Sequence, residues 1–452
     1  MVAAKRMTLT VQVVVAMVAG ILFGVGLNLS GLNVTGGWIN EYLVNGLLNA
    51  IGTMFVNALK MLVVPLVLFS LICGVCGIGH LGTLGRVGTK AFGLYLMTTA
   101  IAIATALAFA GLSGIGQGMQ AVPDASFTAK EAPALSTVLS NIIPGNPFAA
   151  MATGDMLQVI FFAILVGVSI LMVGRKARSF IEGAEIANEI MMKMVSIVMA
   201  VAPYAVFALI ARSMANLGLD LLRELIGYVV VLIAALLVHL FVTQMVVLKA
   251  FSGLSPGMFL RKIRNVQVFA FSTASSNATI PVTLRTVTER LGVKNSVASF
   301  TVPLGATINM DGTAIMQGVA TVFIANIYGV ELGAVGYLTV IAMAVLASIG
   351  TAGVPGVGLV MLSMVFTQVG LPVEGIGLIL GVDRLLDMIR TAVNVSGDAV
   401  VSAIVAKSEG QLDLAVYNDP HAGVVTSDQL ALDEAVEREL AQVVETTHSR
   451  RE

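Results

Sequence analysis

Six apolar runs fill the first 250 residues, at roughly 9–30, 43–77, 88–113, 155–174, 184–218 and 221–250. A helix needs about 20 apolar residues to cross the hydrocarbon of a bilayer. Each run is near or above that length, and inside lipid a spanning segment must satisfy its own backbone, which restricts it to helix. Composition agrees: 57% of the 452 residues are hydrophobic and 11% are charged, against about 45–50% and about 25% in soluble domains. The chain therefore reads as an all-α polytopic membrane protein. A net charge of −1 argues against a nucleic-acid role.

Basic residues mark alternate connections. Lys5 and Arg6 precede the first run, Arg86 and Lys90 follow the second, and Arg175, Lys176 and Arg178 follow the fourth. Lys249, Arg261, Lys262 and Arg264 follow the sixth. These loops and both termini are expected to be cytoplasmic. The N-terminal run reads as a retained first span rather than a cleaved signal. Cys73 and Cys76 in "ICGVCG" sit in an apolar run without a second ligand pair, so helix packing by small residues is favoured over redox or metal chemistry.

After residue 250 the pattern changes. "FAFSTASSNATIPVTL" and "LASIGTAGVPGVGLVML" are apolar at both ends and polar or Gly-rich in the middle. Each reads as a re-entrant helical hairpin with its tip at membrane depth. Each is followed by a longer segment with internal polar residues, 294–328 and 375–406. Hairpin plus polar helix, twice, predicts an inverted repeat with a transport site at the midplane. From about 408 the chain is polar and acidic and reads as a largely disordered tail, with one helix near 427–444.

The chemistry lies in two stretches. In "GVDRLLDMIRTAVNVSGDAVV", Asp383, Asp387, Arg390, Thr391, Asn394 and Asp398 fall within about a 100° arc of one helix. Each ionised group at the bilayer centre costs about 2.5–3.5 kcal/mol on insertion scales. Arg390 suits a carboxylate bidentately, Asp387 suits an ammonium, and broken-helix N–H groups suit a second carboxylate. That set fits aspartate or glutamate. In "GATINMDGT", Gly305 and Gly312 are expected to let the helix unwind, so that carbonyls and the Asp, Asn and Thr oxygens meet hard cations. The "SIGTAG" tip offers similar oxygens. His80, His239, His421 and His448 lie far from these motifs in sequence, and with no nucleophile–base pair the chain is not read as an enzyme. A channel would want a continuous polar pore rather than one polar locus.

"ATINMDGTA", "STASSNATIPVT", "ASIGTAGVPGVG" and "LLDMIRTAVNVSGD" resemble the four signature regions of the dicarboxylate/amino-acid:cation symporter family. The likeness covers essentially residues 9–407 and is densest after 265. It implies eight transmembrane helices plus two hairpins, an elevator mechanism and a homotrimer in the cytoplasmic membrane. The implied scaffold is roughly 9–87 and 155–218, and the implied transport domain is roughly 88–113 and 221–407. By motif, the resemblance implies that Arg390 holds the substrate side-chain carboxylate, with Thr313 and the backbone near Gly358. Asp387 takes the amino group beside Thr391. Asn394 with Ser275, Ser276 and Asn277 serves the α-carboxylate, and Gly353 and Val354 belong to the gate.

The same resemblance implies three sodium sites. Asp398 joins carbonyls of Gly305, Asn309 and Asn394. The Thr307 carbonyl joins those of Ser348, Ile349 and Thr351. Asp311 and Asn309 join Tyr95, Thr98 and Thr99 of "FGLYLMTTA". The tip departs from relatives with a three-serine run, and Ala274 stands where archaeal members have arginine. Some relatives that use protons or carry C4-dicarboxylates lack an aspartate at the place of Asp398 or Asp387. Both are present here, which favours sodium as coupling ion and an acidic amino acid as substrate. Proton coupling, a C4-dicarboxylate or a neutral amino acid are the alternatives.

Overall fold

The computed structural model describes residues 9–78, 85–118, 143–348, 353 and 355–423. Among these the chain is helical throughout, apart from turns and one isolated bridge between Val293 and Leu412. Five stretches are long and apolar enough to cross a membrane: Val11–Leu29, Ile39–Cys76, Gly85–Ser113, Gln158–Ala200 and Gly218–Ser252.

The first half supplies the lipid-compatible surface. Helix α1 (Leu9–Leu29) packs along one side of α7 (Ala202–Val238) and leaves Leu22 and Leu29 exposed on the other. Helix α2 (Asn49–Ile78), entered through a π-helical stretch Ile39–Leu48, packs on α5 (Met156–Val173) and α6 (Arg178–Ala200). A short α4 (Pro147–Thr153) is capped by the Asn146 side chain and packs on α5. The Cys76 thiol lies 3.9 Å from the Gly167 carbonyl of α5, a small-residue contact between helices. The boundary expected near 218–221 is a kink at Gly218, whose φ of 64° suits glycine alone. A second break, at Val201, divides the run expected over 184–218.

The second half is built around α15 (Ile376–Ser408). It packs on α3 (Gly85–Ser113), α7, α8 (Gln244–Ser252), α9 (Pro256–Thr273), α11 (Asn295–Ile308) and α12 (Asp311–Ile327). Helices α9 and α10 (Ser276–Arg285) pack on each other across a turn at Ala274 and Ser275. Ala274 is the one non-glycine with positive φ among the described residues, at 49°. Helices α13 (Gly333–Ser348) and α14 (Val357–Gln368) form a second packed pair. At 16 and 12 residues they are too short to cross a bilayer.

The folded chain continues past residue 407. Residues 411–418, including α16 (Leu414–Asn418), form a strap across the base of the α9–α10 pair. Asp413 N–H donates to the Gly292 carbonyl at 2.8 Å, and Lys294 N–H donates to the Gln411 carbonyl at 3.0 Å. The buried Lys262 ammonium donates to the carbonyls of Arg290 (2.7 Å) and Val416 (2.6 Å), and the Tyr417 hydroxyl to Ser255 (3.0 Å). The helix expected near 427–444 lies outside the described residues.

Candidate functional site

Helices α11 and α12 are one apolar segment interrupted at Asn309 and Met310. Neither has helical dihedrals: Asn309 has ψ of 86° and Met310 ψ of 46°. The expected unwinding at Gly305 and Gly312 is corrected, because both glycines are helical. Their role is close approach. A Cβ on Gly305 would strike the Asp398 carboxylate and the Tyr95 hydroxyl, and one on Gly312 would lie 2.6 Å from the Arg390 carbonyl oxygen. The glycines let α15 and α3 reach the break, and the break itself falls on the residues between them.

Around it the structure gathers seven of the expected groups, Tyr95, Thr98, Thr99, Asn309, Asp311, Asn394 and Asp398. The Asn309 amide donates to Asp398 Oδ1 at 2.9 Å and to the Asn394 carbonyl at 3.1 Å. The Gly312 N–H, at the start of α12, donates to Asn394 Oδ1 at 2.7 Å. Thr99 Oγ1 donates to Asp311 Oδ1 at 2.7 Å, with Thr98 Oγ1 at 3.4 Å. The Tyr95 hydroxyl donates to the Thr301 carbonyl at 2.9 Å. Tyr95, Thr98, Thr99, Asn309, Asp311, Asn394 and Asp398 are all buried. Asn309 Oδ1 is buried without a partner. The donor set is oxygen throughout, as hard cations prefer, and among the described residues no three His, Cys, Asp or Glu side chains converge as transition metals require.

One helical turn from Asn394, Arg390 is completely buried and pairs with two aspartates of its own helix, Asp383 and Asp387. Arg384 adds a looser contact to Asp387 at 3.6 Å. Thr313, Thr391 and Gly358 close around this group. A Cβ on Gly358 would sit 3.3 Å from Thr313 and 3.4 Å from the Arg390 guanidinium. Arg390 Nε and Asp387 Oδ2 have no hydrogen-bond partner.

The α9–α10 tip meets the other pair rather than Arg390. Ser275 Oγ donates to the Gly353 carbonyl at 2.7 Å, and Asn277 N–H donates to the same oxygen at 3.1 Å. Ser276 is buried beside Gly353, which also faces the Ala306 carbonyl. The Thr307 and Ser348 hydroxyls donate to carbonyls within their own helices. Ile349, Thr351 and Val354 lie outside the described residues.

The structure corrects the reading of His239 as remote. Its Nε2 lies 2.9 Å from Asp311 Oδ2, with both side chains fully buried. Gln244 is equally buried and donates to the Val393 carbonyl at 3.1 Å. Both lie in the strongly apolar stretch Gly218–Ser252. An ionisable side chain in such a run is a functional candidate by default, and that signal could have found His239.

Residues 9–408 match the model of the sodium:dicarboxylate symporter family. The chain is 34% identical over 421 residues to the proton/glutamate-aspartate symporter of Escherichia coli K12, covering 90% of this chain and 94% of that one. It is 32% identical to the proton/sodium-glutamate symport protein of Bacillus caldotenax, over 80% and 88%. It is 30% identical to the C4-dicarboxylate transport protein of Bacillus subtilis, over 90% and 94%. The chain belongs to the sodium:dicarboxylate symporter family. Its relatives are membrane symporters of acidic amino acids and dicarboxylates rather than enzymes.

Proposed function

We propose that this protein is a sodium-coupled symporter of L-aspartate or L-glutamate in the cytoplasmic membrane. It works as a homotrimer with cytoplasmic termini, each protomer having eight transmembrane helices and two re-entrant hairpins. The α3, post-Gly218 part of α7, α8, α11–α12 and α15 core, with both hairpins, moves as an elevator against α1, α2, α5, α6 and the part of α7 before Gly218.

One observation carries the reading. Four aspartates, Asp311, Asp383, Asp387 and Asp398, are buried on α12 and α15 together with a single arginine, Arg390. Arg390 takes two of them. Asp311 and Asp398 receive hydrogen bonds from Thr98, Thr99, His239 and Asn309. Buried carboxylates without a formal positive partner are costly, and monovalent cations bound by the surrounding oxygens would remove that cost. Asn394 links the two halves. It lies four residues from both Arg390 and Asp398, takes the Gly312 N–H on its side chain and the Asn309 amide on its carbonyl. A shift at the ion side therefore reaches the substrate side through one residue, which is the physical content of coupling. A substrate carboxylate would enter by taking one edge of Arg390 from its aspartates, releasing Asp387 for the amino group.

A second reading replaces sodium by a proton, favoured by the proton-coupled relative from Escherichia coli. The test is uptake of labelled L-aspartate into proteoliposomes under an inward sodium gradient or an inward proton gradient. Sodium-driven uptake is expected. Uptake driven by protons in the absence of sodium would establish the second reading and overturn the first.

A further inference from the structure

We infer that His239 is a positioning residue of the ion site, fixing the Asp311 carboxylate and thereby setting how tightly sodium is held. The inference rests on the sodium reading above and adds a residue to it.

The Asp311 carboxylate is gripped from two directions. Thr99 and Thr98 of α3 donate to Oδ1, at 2.7 and 3.4 Å. His239, at the junction of α7 and α8, approaches Oδ2 at 2.9 Å. An ionised carboxylate only accepts, so His239 Nε2 carries the proton and donates. Each oxygen is thus tied to a different helix, and the carboxylate cannot rotate without losing one tie. Removing the histidine frees that rotation, and Oδ1 is no longer held toward the hydroxyls.

The backbone is arranged for this contact. Residues His239–Thr243 form one π-helical turn between α7 and α8. Such turns are rare and are enriched at functional sites. With i→i+5 bonding, residues five apart come round to the same side, and here those are His239 and Gln244. Gln244 reaches the Val393 carbonyl, and its amide would crowd a Cβ on Gly397 together with that of Asn309. His239 Nδ1, Gln244 Oε1 and Asn309 Oδ1 are all buried without partners. So the turn presents two polar side chains to the interior of an otherwise apolar segment.

The residue type fits the role. A lysine or arginine at this place would neutralise Asp311 permanently and compete with a cation. An imidazole ring N–H holds one carboxylate oxygen by a single directed hydrogen bond and leaves the other side of the carboxylate open to an ion. A leucine or methionine would fill the space without orienting anything.

The test compares His239→Gln, which keeps an N–H donor at similar reach, with His239→Met, which has nearly the same shape and no donor. Two quantities are read on the purified full-length protein. One is the rise in Tm on adding sodium without substrate. The other is the sodium concentration for half-maximal aspartate uptake in proteoliposomes. His239→Met is expected to raise the half-maximal sodium concentration at least about tenfold, the scale of a hydrogen bond to a charged group, and to abolish most of the sodium-induced rise in Tm. His239→Gln is expected to stay within about threefold of the parent on the same reasoning. An unchanged sodium response in His239→Met overturns the inference, and so does an equal loss in both variants, which would mark a packing role. If the parent protein itself shows no sodium-induced rise in Tm and no sodium-dependent uptake, the sodium reading falls and the inference with it. A normal parent response confines any failure to His239.

Discussion

Helix α15 carries one ion-pair network at its middle and another just past its C-terminal end, and they are built from the same chemistry. In the middle, Arg390 holds Asp383 and Asp387 with all three side chains buried. At the end, Glu409 holds Lys90 and Arg86, whose side chains are 43% and 86% exposed. Exposed pairs are screened by water and contribute little. Buried pairs stand or fall together, because each member left alone is an uncompensated charge. A helix that needed only to be held in place could do so with pairs of the second kind. Putting the first kind at its centre makes sense where a partner is to be exchanged, as the proposed entry of a substrate carboxylate at Arg390 would require.

The sharpest way to break that comparison is Arg390→Ala. It strands Asp383 and Asp387 in the interior, a loss of about 3–5 kcal/mol for a broken buried pair. Uptake of L-aspartate is expected to fall at least about a hundredfold, in keeping with truncation of a buried charge pair, with uptake of L-serine gained. Unchanged aspartate uptake would refute the carboxylate role. A middle-sized effect is expected from Gly312→Ala, whose Cβ would press on the Arg390 backbone. Overpacking of this sort costs about 1–3 kcal/mol and should lower Tm and uptake together. The control is Gly93→Ala in α3, where a Cβ meets nothing within 4 Å and a small gain from helix propensity, about 0.5–1 kcal/mol, is expected. Equal behaviour of the two glycines would mean that close approach to Arg390 is not what Gly312 provides.

The smallest effect belongs to the exposed network. The hydrogen bond from Lys90, aided by Arg86, holds the Glu409 carboxyl below its ordinary value. A carboxyl with a depressed value in the folded state stabilises at pH above its unfolded value, and the contribution fades as pH falls through the folded one. The difference in Tm between the parent and Glu409→Gln should therefore be slight at neutral pH, begin to shrink near about pH 4, where free carboxylates titrate, and vanish only below the depressed folded value. A difference that grew on acidification would contradict the pairing.

How much of this was legible follows from the range over which each signal is written. An apolar run is an average over some twenty residues, so the long helices of the first half stand out, although the seven-residue α4 and the break at Val201 do not. The polar stripe of α15 is a periodicity within one segment, and Asp383, Asp387 and Arg390 do meet on it. The error at Gly305 and Gly312 has a different origin. A glycine that breaks a helix and a glycine that admits a neighbouring side chain look alike in sequence, and only the neighbour tells them apart. His239 is a different case: an ionisable residue inside an apolar run marks itself as a candidate, but its partner Asp311 is 72 positions away and nothing local names that partner.

The strap at residues 411–418 bears on how such a protein can be handled. Its hydrogen bonds to Gly292, Lys294, Lys262 and Ser255 sew the end of α15 to the base of the α9–α10 pair. A fluorophore, affinity tag or fusion partner joined within residues 411–418 would pull on those stitches. If the proposed elevator motion operates, two labels placed on the strap and on the α9–α10 pair should keep a constant separation while a label on α1 changes its distance to both; constant distances throughout would count against that motion.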